Sequence, residues 1–407
     1  MKDETRVNHP PGIELPADNH PLNLPVFQNV KWETESIEEG LRLLRGERPG
    51  YFYSRVGNPT VRQLELLLAG LQGREDCLAS ASGVNAVAQT LFGLTEARDH
   101  VIFFVEGYGP TRQIIRKMLT RFGVTHSMLS IDDLDGLESE LASRRTKLVF
   151  FESPTNPVNK IADLASITRL ARAHGALTVL DNTAAGFHQH GEFPVDFFVH
   201  SLTKFTTGAG DVMGGVVIAD RARLDLLRGD YRLFGAQLDP LSASLMVRGM
   251  KTYFVRYRAQ SAATLEIARF LEQHPGCTKV RYPGLESSPK HALARQQMRD
   301  FGTVICFDLK AGFEGVRQIR LQILDVLETD RQSYRARADV GGDQLLGGKI
   351  FRLHHLRRHD ERFGRPEARR ACKQLQRLGE ATTALETGLQ IETDHGTEVA
   401  HLLSCQR

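Results

Sequence analysis

The sequence predicts an α/β protein, with a large domain built on a mostly parallel sheet followed by a smaller C-terminal α/β domain. Two observations predict this. Short runs that are apolar at every position alternate with stretches of helical periodicity between about residues 80 and 220. Strands of that kind are buried on both faces, which is the situation of a parallel sheet covered by helices. After about Leu241 the pattern shifts to longer helical and mixed stretches, TYFVRYRAQ and LEIARFLEQHPG, leading to VICFDLKAG. The expected boundaries are an N-terminal arm over 1–58, the large domain over 59–240 and the smaller one over 241–407, atypical after about 315.

Taken in order, the arm is proline-rich before Val26, which discourages regular structure, with a short helical piece around Glu38–Leu44. A helix begins at Pro59 and Thr60; Leu64, Leu67, Leu68 and Leu71 form its apolar stripe, and Gly73 closes it. The strand-like runs are Val101–Val105, Leu148–Phe151, Leu177–Leu180, Phe197–Val199 and Val216–Ile218. Between them lie helical stretches at Val84–Leu94, Thr111–Phe122, Leu134–Leu141 and Leu164–His174, the last ended by Gly175.

Composition narrows the classes of function. Of 407 residues, 52 are basic and 49 acidic, and a net charge of +3 gives no argument for nucleic acid or an anionic membrane. No apolar run approaches the roughly 20 residues of a membrane helix, and the first twenty residues lack the apolar core of a signal peptide. The five cysteines at 77, 277, 306, 372 and 405 never fall in C-x-x-C spacing. A reducing cytoplasm is therefore expected, with neither a disulfide framework nor a structural zinc site. Gly208-Ala209-Gly210-Asp211-Val212-Met213 is an incomplete G-x-G-x-x-G and lacks the final glycine. His188 with His190, and His354, His355 and His359, have no accompanying cysteine or glutamate pattern, so hydrogen-bonded or solvated histidines are expected.

Ligands of parallel sheets bind beyond the carboxyl ends of the strands. Here those ends are followed by Tyr108, by Glu152 and Asn156, by Asp181, and by Ser201, Thr203 and Lys204. A lysine amine can form a Schiff base with a carbonyl cofactor. Pyridoxal phosphate needs such a lysine and an acid or arginine at its ring nitrogen. A phenol could stack on that ring. Ser80-Ala81-Ser82-Gly83-Val84 stands directly before a helical pattern, where backbone N–H groups would face an anion.

The segments YSRVGNPT (53–60), ASGVNA (81–86), Tyr108-Gly-Pro-Thr, TKLVFFESPTNP (146–157), LDNT (180–183), HSLTKFTTGAGDVMGG (200–215) and VRYPGL (280–285) occur in this order. In them the chain resembles the cysteine/methionine-metabolism family of pyridoxal-phosphate enzymes, which includes cystathionine γ-synthase, cystathionine lyases, methionine γ-lyase and acylhomoserine sulfhydrylases. The resemblance covers roughly residues 20 to 315 and implies the aspartate-aminotransferase-like transferase fold. It also implies that Lys204 carries the cofactor, Asp181 meets the pyridine nitrogen, Tyr108 stacks on the ring and Asn156 lies near the ring hydroxyl. Ser82, Gly83, Ser201 and Thr203 match phosphate-binding positions. Tyr53 and Arg55 match a pair that reaches the phosphate of a neighbouring subunit, so a homodimer or homotetramer with shared sites follows. The partners implied are a small amino-acid substrate and further copies of the chain, without nucleic acid or membrane.

The implied function is sulfur amino-acid chemistry, γ-replacement or elimination on homoserine- or cysteine-derived substrates, with a cystathionine γ-synthase-like reaction foremost. The chain departs from the family beyond about Gly315, where the S-L-G-x-x-E-[ST]-L and R-L-S-[IV]-G-[LI]-E segments that bind the substrate carboxylate are missing. Ser333, Arg352, Arg369 and Arg370 are candidates by distance alone. The tail is thus either a diverged domain or one read out of frame. Two alternative functions go with it, a catalytically impaired cofactor-binding protein and a non-catalytic scaffold. Ala209 replaces a histidine common before the Gly-Asp of the lysine segment. Pro110 stands where methionine γ-lyases usually carry cysteine.

Overall fold

The computed structural model describes residues 21–312, 389–393 and 400–404. The predicted substrate candidates Ser333, Arg352, Arg369 and Arg370, the histidines at 354, 355 and 359, Cys372 and Cys405 lie outside the described residues.

Seven strands form the large sheet: β1 (Asp76–Ser80), β2 (His100–Phe104), β3 (Thr125–Leu129), β4 (Leu148–Glu152), β5 (Leu177–Asp181), β6 (Phe197–Ser201) and β7 (Gly215–Ala219). Their spatial order is β1-β7-β6-β5-β4-β2-β3. Pairing is parallel from β3 through β2, β4 and β5 to β6, while β7 runs antiparallel to both β6 and β1. The carboxyl ends of β1 to β6 and the amino end of β7 therefore lie on one edge. Register fixes this closely, since Glu152 faces Asp181, and Gly215 faces both Ser201 and Ser80. The strand order reverses between β2 and β4, which is where such sheets open a ligand crevice.

The all-apolar strands divide their side chains between two cores because successive residues point to opposite faces. Ile102, Phe104, Val149, Phe151, Leu180, Phe198, Val216 and Ile218 pack on one face with Leu64 and Leu68. Val101, Phe103, Leu148, Phe150, Val179, Phe197, Val199 and Val217 pack on the other with Val87, Leu91 and Leu224. The helix Pro59–Gln72 starts where Asn58 Oδ1 accepts the Thr60 N–H at 2.9 Å and ends at Gly73. Leu64 and Leu68 are wholly buried in it, but Leu67, assigned to the stripe, is 38% exposed. It lies about 60° around the helix from Leu64, at the margin of the buried face.

Two strands of the large sheet escaped the sequence pattern. DCLAS of β1 is short and mixed in polarity yet fully buried, and THSML of β3 is only partly covered at the sheet edge. The single helix expected over Thr111–Phe122 is instead three pieces: an α-helix Gly109–Gln113, a π-helical turn Ile114–Met118 and a 3₁₀ turn Leu119–Phe122. The shift of hydrogen-bonding pattern keeps Ile114, Ile115 and Leu119 on the buried side.

A second sheet has the order β10-β11-β9-β8, from β8 (Cys277–Arg281), β9 (Val304–Leu309), β10 (Leu389–Thr393) and β11 (Ala400–Ser404). All its pairings are antiparallel. Ile305 and Phe307 of β9 and Tyr282 pack with Ala268 and Leu271 of the long helix Tyr253–Gln273. Arg281 grips Asp308 across the β8–β9 pair through two hydrogen bonds of 2.8 and 2.7 Å. Cys77 and Cys306 are buried free thiols and Cys277 a half-buried one.

Phe198 is wholly buried in β6, with the Arg74 guanidinium 4.9 Å from its ring centroid. Phe198→Ala is expected to cost about 3–5 kcal/mol, read as a lower midpoint of urea denaturation at unchanged slope.

Candidate active site at the carboxyl edge of the large sheet

One continuous set of contacts runs along this edge. After β2 the chain turns to place Tyr108, and after β4 to place Asn156. Their backbone N–H groups converge on one side chain, donating to Glu152 Oε1 at 2.5 Å and Oε2 at 3.0 Å. Glu152 is 5% exposed. In register beside it, half-buried Asp181 accepts the Thr183 N–H at 3.0 Å through Oδ1. Thr183 Oγ1 in turn accepts the Ser201 N–H at 2.8 Å, tying the end of β5 to the end of β6.

Ser201 leads into the short helical turn Leu202–Phe205, on which Lys204 is exposed. Thr203 Oγ1 accepts the Gly214 N–H at 3.2 Å, so the lysine turn is pinned to the start of β7. Arg256 caps the turn from the other side. Its Nη2 donates to the carbonyls of Phe205 at 2.9 Å, Thr206 at 3.2 Å and Gly249 at 3.0 Å.

The helix Gly83–Leu94 points its N-terminus at the same place. Ser82 caps it, its Oγ accepting the Asn85 N–H at 3.1 Å, while the N–H groups of Gly83 and Val84 have no partner within the helix. Gly83 is there for want of space, because a Cβ would stand 2.7 Å from Ser201 Cβ. Gly215 is equally constrained, as a Cβ there would meet the Ser82 carbonyl oxygen at 2.1 Å.

Ser82, Gly83, Tyr108, Asn156, Asp181, Ser201, Thr203 and Lys204 are thus gathered at one edge. Tyr53 and Arg55 stand apart from the contact chain. The Arg55 guanidinium lies 5.4 Å from the Tyr53 ring centroid, and its Nη1 donates to the Arg232 carbonyl at 2.8 Å. Among the described residues neither side chain hydrogen-bonds to the others.

Two buried acids side by side set the electrostatics. Burial, and then the charge of Asp181, push the Glu152 carboxyl up to about 8. Burial also raises Asp181, against the hydrogen bonds from Thr183 that favour its ionised form. Such a pair gains by receiving a cation or a proton-bearing nitrogen.

Behind the edge sits a buried polar cluster. His200 Nε2 meets Gln72 Oε1 at 2.7 Å, Gln72 Nε2 donates to the Gln189 carbonyl at 2.8 Å, and His190 Nδ1 meets Asn182 Oδ1 at 2.7 Å. Asn182 and His200 directly adjoin Asp181 and Ser201, so the cluster braces both. Burial depresses His190 and His200 to about 3, with neighbouring histidine charge as a lesser cause, so both imidazoles are neutral. His188 is also hydrogen-bonded, to Tyr253 Oη at 2.9 Å and Asp300 Oδ2 at 3.0 Å.

Thr183, Gly215 and Asn182 lie within or beside matched motifs and could have been found there. Arg256, Gln72 and the linking role of Glu152 depend on contacts between distant segments and leave no local signal.

These features are those of a cofactor enzyme of the aspartate-aminotransferase-like fold. The side-chain-free approach of Gly83 to Ser201, beside N–H groups left without an intrahelical partner, suits a phosphate, and the acid pair suits a pyridine nitrogen. The chain belongs to the Cys/Met metabolism PLP-dependent enzyme family, whose sequence model matches residues 12–328. Over 298 residues it is 37% identical to an L-methionine gamma-lyase of Fusobacterium nucleatum, covering 72% of this chain and 75% of that one. A Campylobacter jejuni structure carrying N′-pyridoxyl-lysine-5′-monophosphate is 30% identical with a TM-score of 0.68, covering 73% of this chain and 82% of that one. A cystathionine gamma synthase of Xanthomonas oryzae, solved with aminoacrylate and cysteine, is 28% identical with a TM-score of 0.68, covering 72% and 75%. The cofactor is pyridoxal 5′-phosphate and the chemistry is that of sulfur amino-acid transsulfuration. Among the described residues no helix is long and apolar enough to cross a membrane.

The neutral histidines carry a pH signature. An unfolded histidine binds its proton near 6.5, whereas the folded chain refuses it down to about 3. Their contribution is therefore complete above about pH 6.5 and declines as pH falls, by up to about 1.4 kcal/mol per unit per histidine. Glu152, raised in the folded state, works in the opposite sense, losing its contribution as pH rises towards about 8. His190→Asn isolates the first effect, since asparagine tolerates the φ of 65° found there. In urea denaturation between about pH 6 and pH 4, this variant should lose less stability on acidification than the wild type.

Proposed function

We propose that the edge-gathered residues hold the cofactor and that the reaction is a γ-replacement or elimination on homoserine- or cysteine-derived amino acids, of cystathionine γ-synthase type. The observation that carries this is the placement of Lys204, Asp181 and Tyr108 at the carboxyl ends of β6, β5 and β2, on the same edge as the Gly83–Ser201 approach.

When bound, the pyridoxal ring supplies an electron sink for the carbanion formed next to the substrate's amino group. Lys204 Nζ would hold the cofactor and, as a free amine, would take the proton from the substrate Cα. Asp181, held by Thr183, would keep the ring nitrogen protonated. Tyr108 would stack on the ring and assist proton transfer at its hydroxyl, and Asn156 would address the ring hydroxyl. Ser82, Gly83, Ser201 and Thr203 would receive the phosphate. A thiol adding at Cγ makes the enzyme a synthase, whereas hydrolysis without addition makes it a lyase. Pro110 counts against the methionine γ-lyase variant of the reaction. The intact set of edge contacts supports a catalyst over an impaired binding protein or a scaffold. The division into arm, large domain and C-terminal domain at 58 and 240 is part of the same reading.

Lys204→Ala should bind the vitamer only weakly and lose turnover by more than about a thousandfold, measured as product release from O-acylhomoserines, cystathionine, methionine and cysteine. Full activity in this variant removes the assignment. Tyr53 and Arg55 would complete the site of a second copy. Exposed Arg55 and the exposed apolar side chains Leu22, Val26 and Val30 of the arm support an assembly of two or four chains. Co-refolding Arg55→Ala with Lys204→Ala, each inactive alone, should then restore part of the activity in mixed assemblies. No recovery would mean that each site is built from one chain.

A further inference from the structure

We infer that Glu152 is a positioning residue that sets Tyr108 and Asn156 against the cofactor ring by holding the two loops that carry them. This rests on the cofactor site proposed above. The loop after β2 and the loop after β4 leave the sheet on either side of the point where the strand order reverses, so no strand pairing joins them beyond their ends. Glu152 is the last residue of β4, and its buried carboxylate accepts one backbone N–H from each loop, Tyr108 at 2.5 Å and Asn156 at 3.0 Å.

The chemistry of the side chain matters. Two N–H donors arriving at two oxygens need a group with an oxygen acceptor on both arms, which a carboxyl group has and an amide lacks. In glutamine one arm would be an NH₂ opposed to an N–H. The cost of keeping a carboxylate here is visible in its surroundings: it is buried and stands beside Asp181, and both raise its affinity for a proton. A residue serving packing alone would gain nothing from that arrangement.

The test is pyridoxal 5′-phosphate affinity of the full-length apoprotein, followed by cofactor absorbance, together with thermal melting of the apoprotein. Glu152→Gln should weaken affinity about tenfold, the usual effect of leaving one buried backbone N–H without its acceptor, with apoprotein melting close to that of the wild type. In a Tyr108→Ala background the same substitution should cost less than about threefold, because part of what Glu152 positions is already gone. Glu152→Asp, which keeps the carboxyl group but is one methylene short of bridging both loops, should also lose affinity, and it serves if the glutamine variant does not fold. Wild-type affinity in Glu152→Gln, or an equal loss in the Tyr108→Ala background, overturns the inference. A wild-type chain that takes up no cofactor overturns the functional reading as well, and is distinguished by requiring no variant.

Discussion

The site depends on strand alignment. Parallel pairing of β4, β5 and β6, in a register that sets Glu152 beside Asp181 and Asp181 beside Val199, delivers chemically distinct side chains to one edge. None of these groups could be brought there by its own loop. The apolar cores on both faces hold the register, because a slip of one residue would exchange the two faces of every strand. Catalytic geometry is in this sense a by-product of burying Phe103, Phe151, Phe197 and Phe198.

A second layer of constraint is polar and lies just behind the edge. Asn182 and His200 are fixed by Gln72, Gln189 and His190, with both imidazoles neutral. Their immediate neighbours in sequence are the acid expected at the ring nitrogen and the serine expected at the phosphate. Buried polar groups that are almost fully paired rigidify what they touch. Arg256 does the same for the lysine turn through three carbonyls. The reacting groups themselves stay accessible.

What the sequence made legible follows from how local each signal is. The strands LVFFE and FFVHS and the helix at Pro59 announce themselves through continuous apolarity or through a cap and stripe. The motifs around Lys204, Asp181 and Ser82 mark residues that the fold gathers at one edge. DCLAS gave no such signal, since its place in the sheet comes from pairing with β7, which is distant in the chain, and its burial from the helices on both faces and not from its own pattern. The π-helical turn after Gln113 was hidden for a related reason, because its apolar spacing reads as an ordinary helix. Glu152 was visible as a polar strand end, but its two hydrogen bonds exist only once β2 and β4 are side by side.

The contact of Gly83 with Ser201 also bears on the order of events during synthesis. The two residues belong to segments far apart in the chain, and they meet only when β7 has slotted between β1 and β6. A nascent chain that has not yet released β7 has helices and several paired strands but no complete seat for the vitamer. Long-range closures of this kind are the slow ones in folding, so the Gly83–Ser201 approach belongs to the finished large sheet and to no part of it.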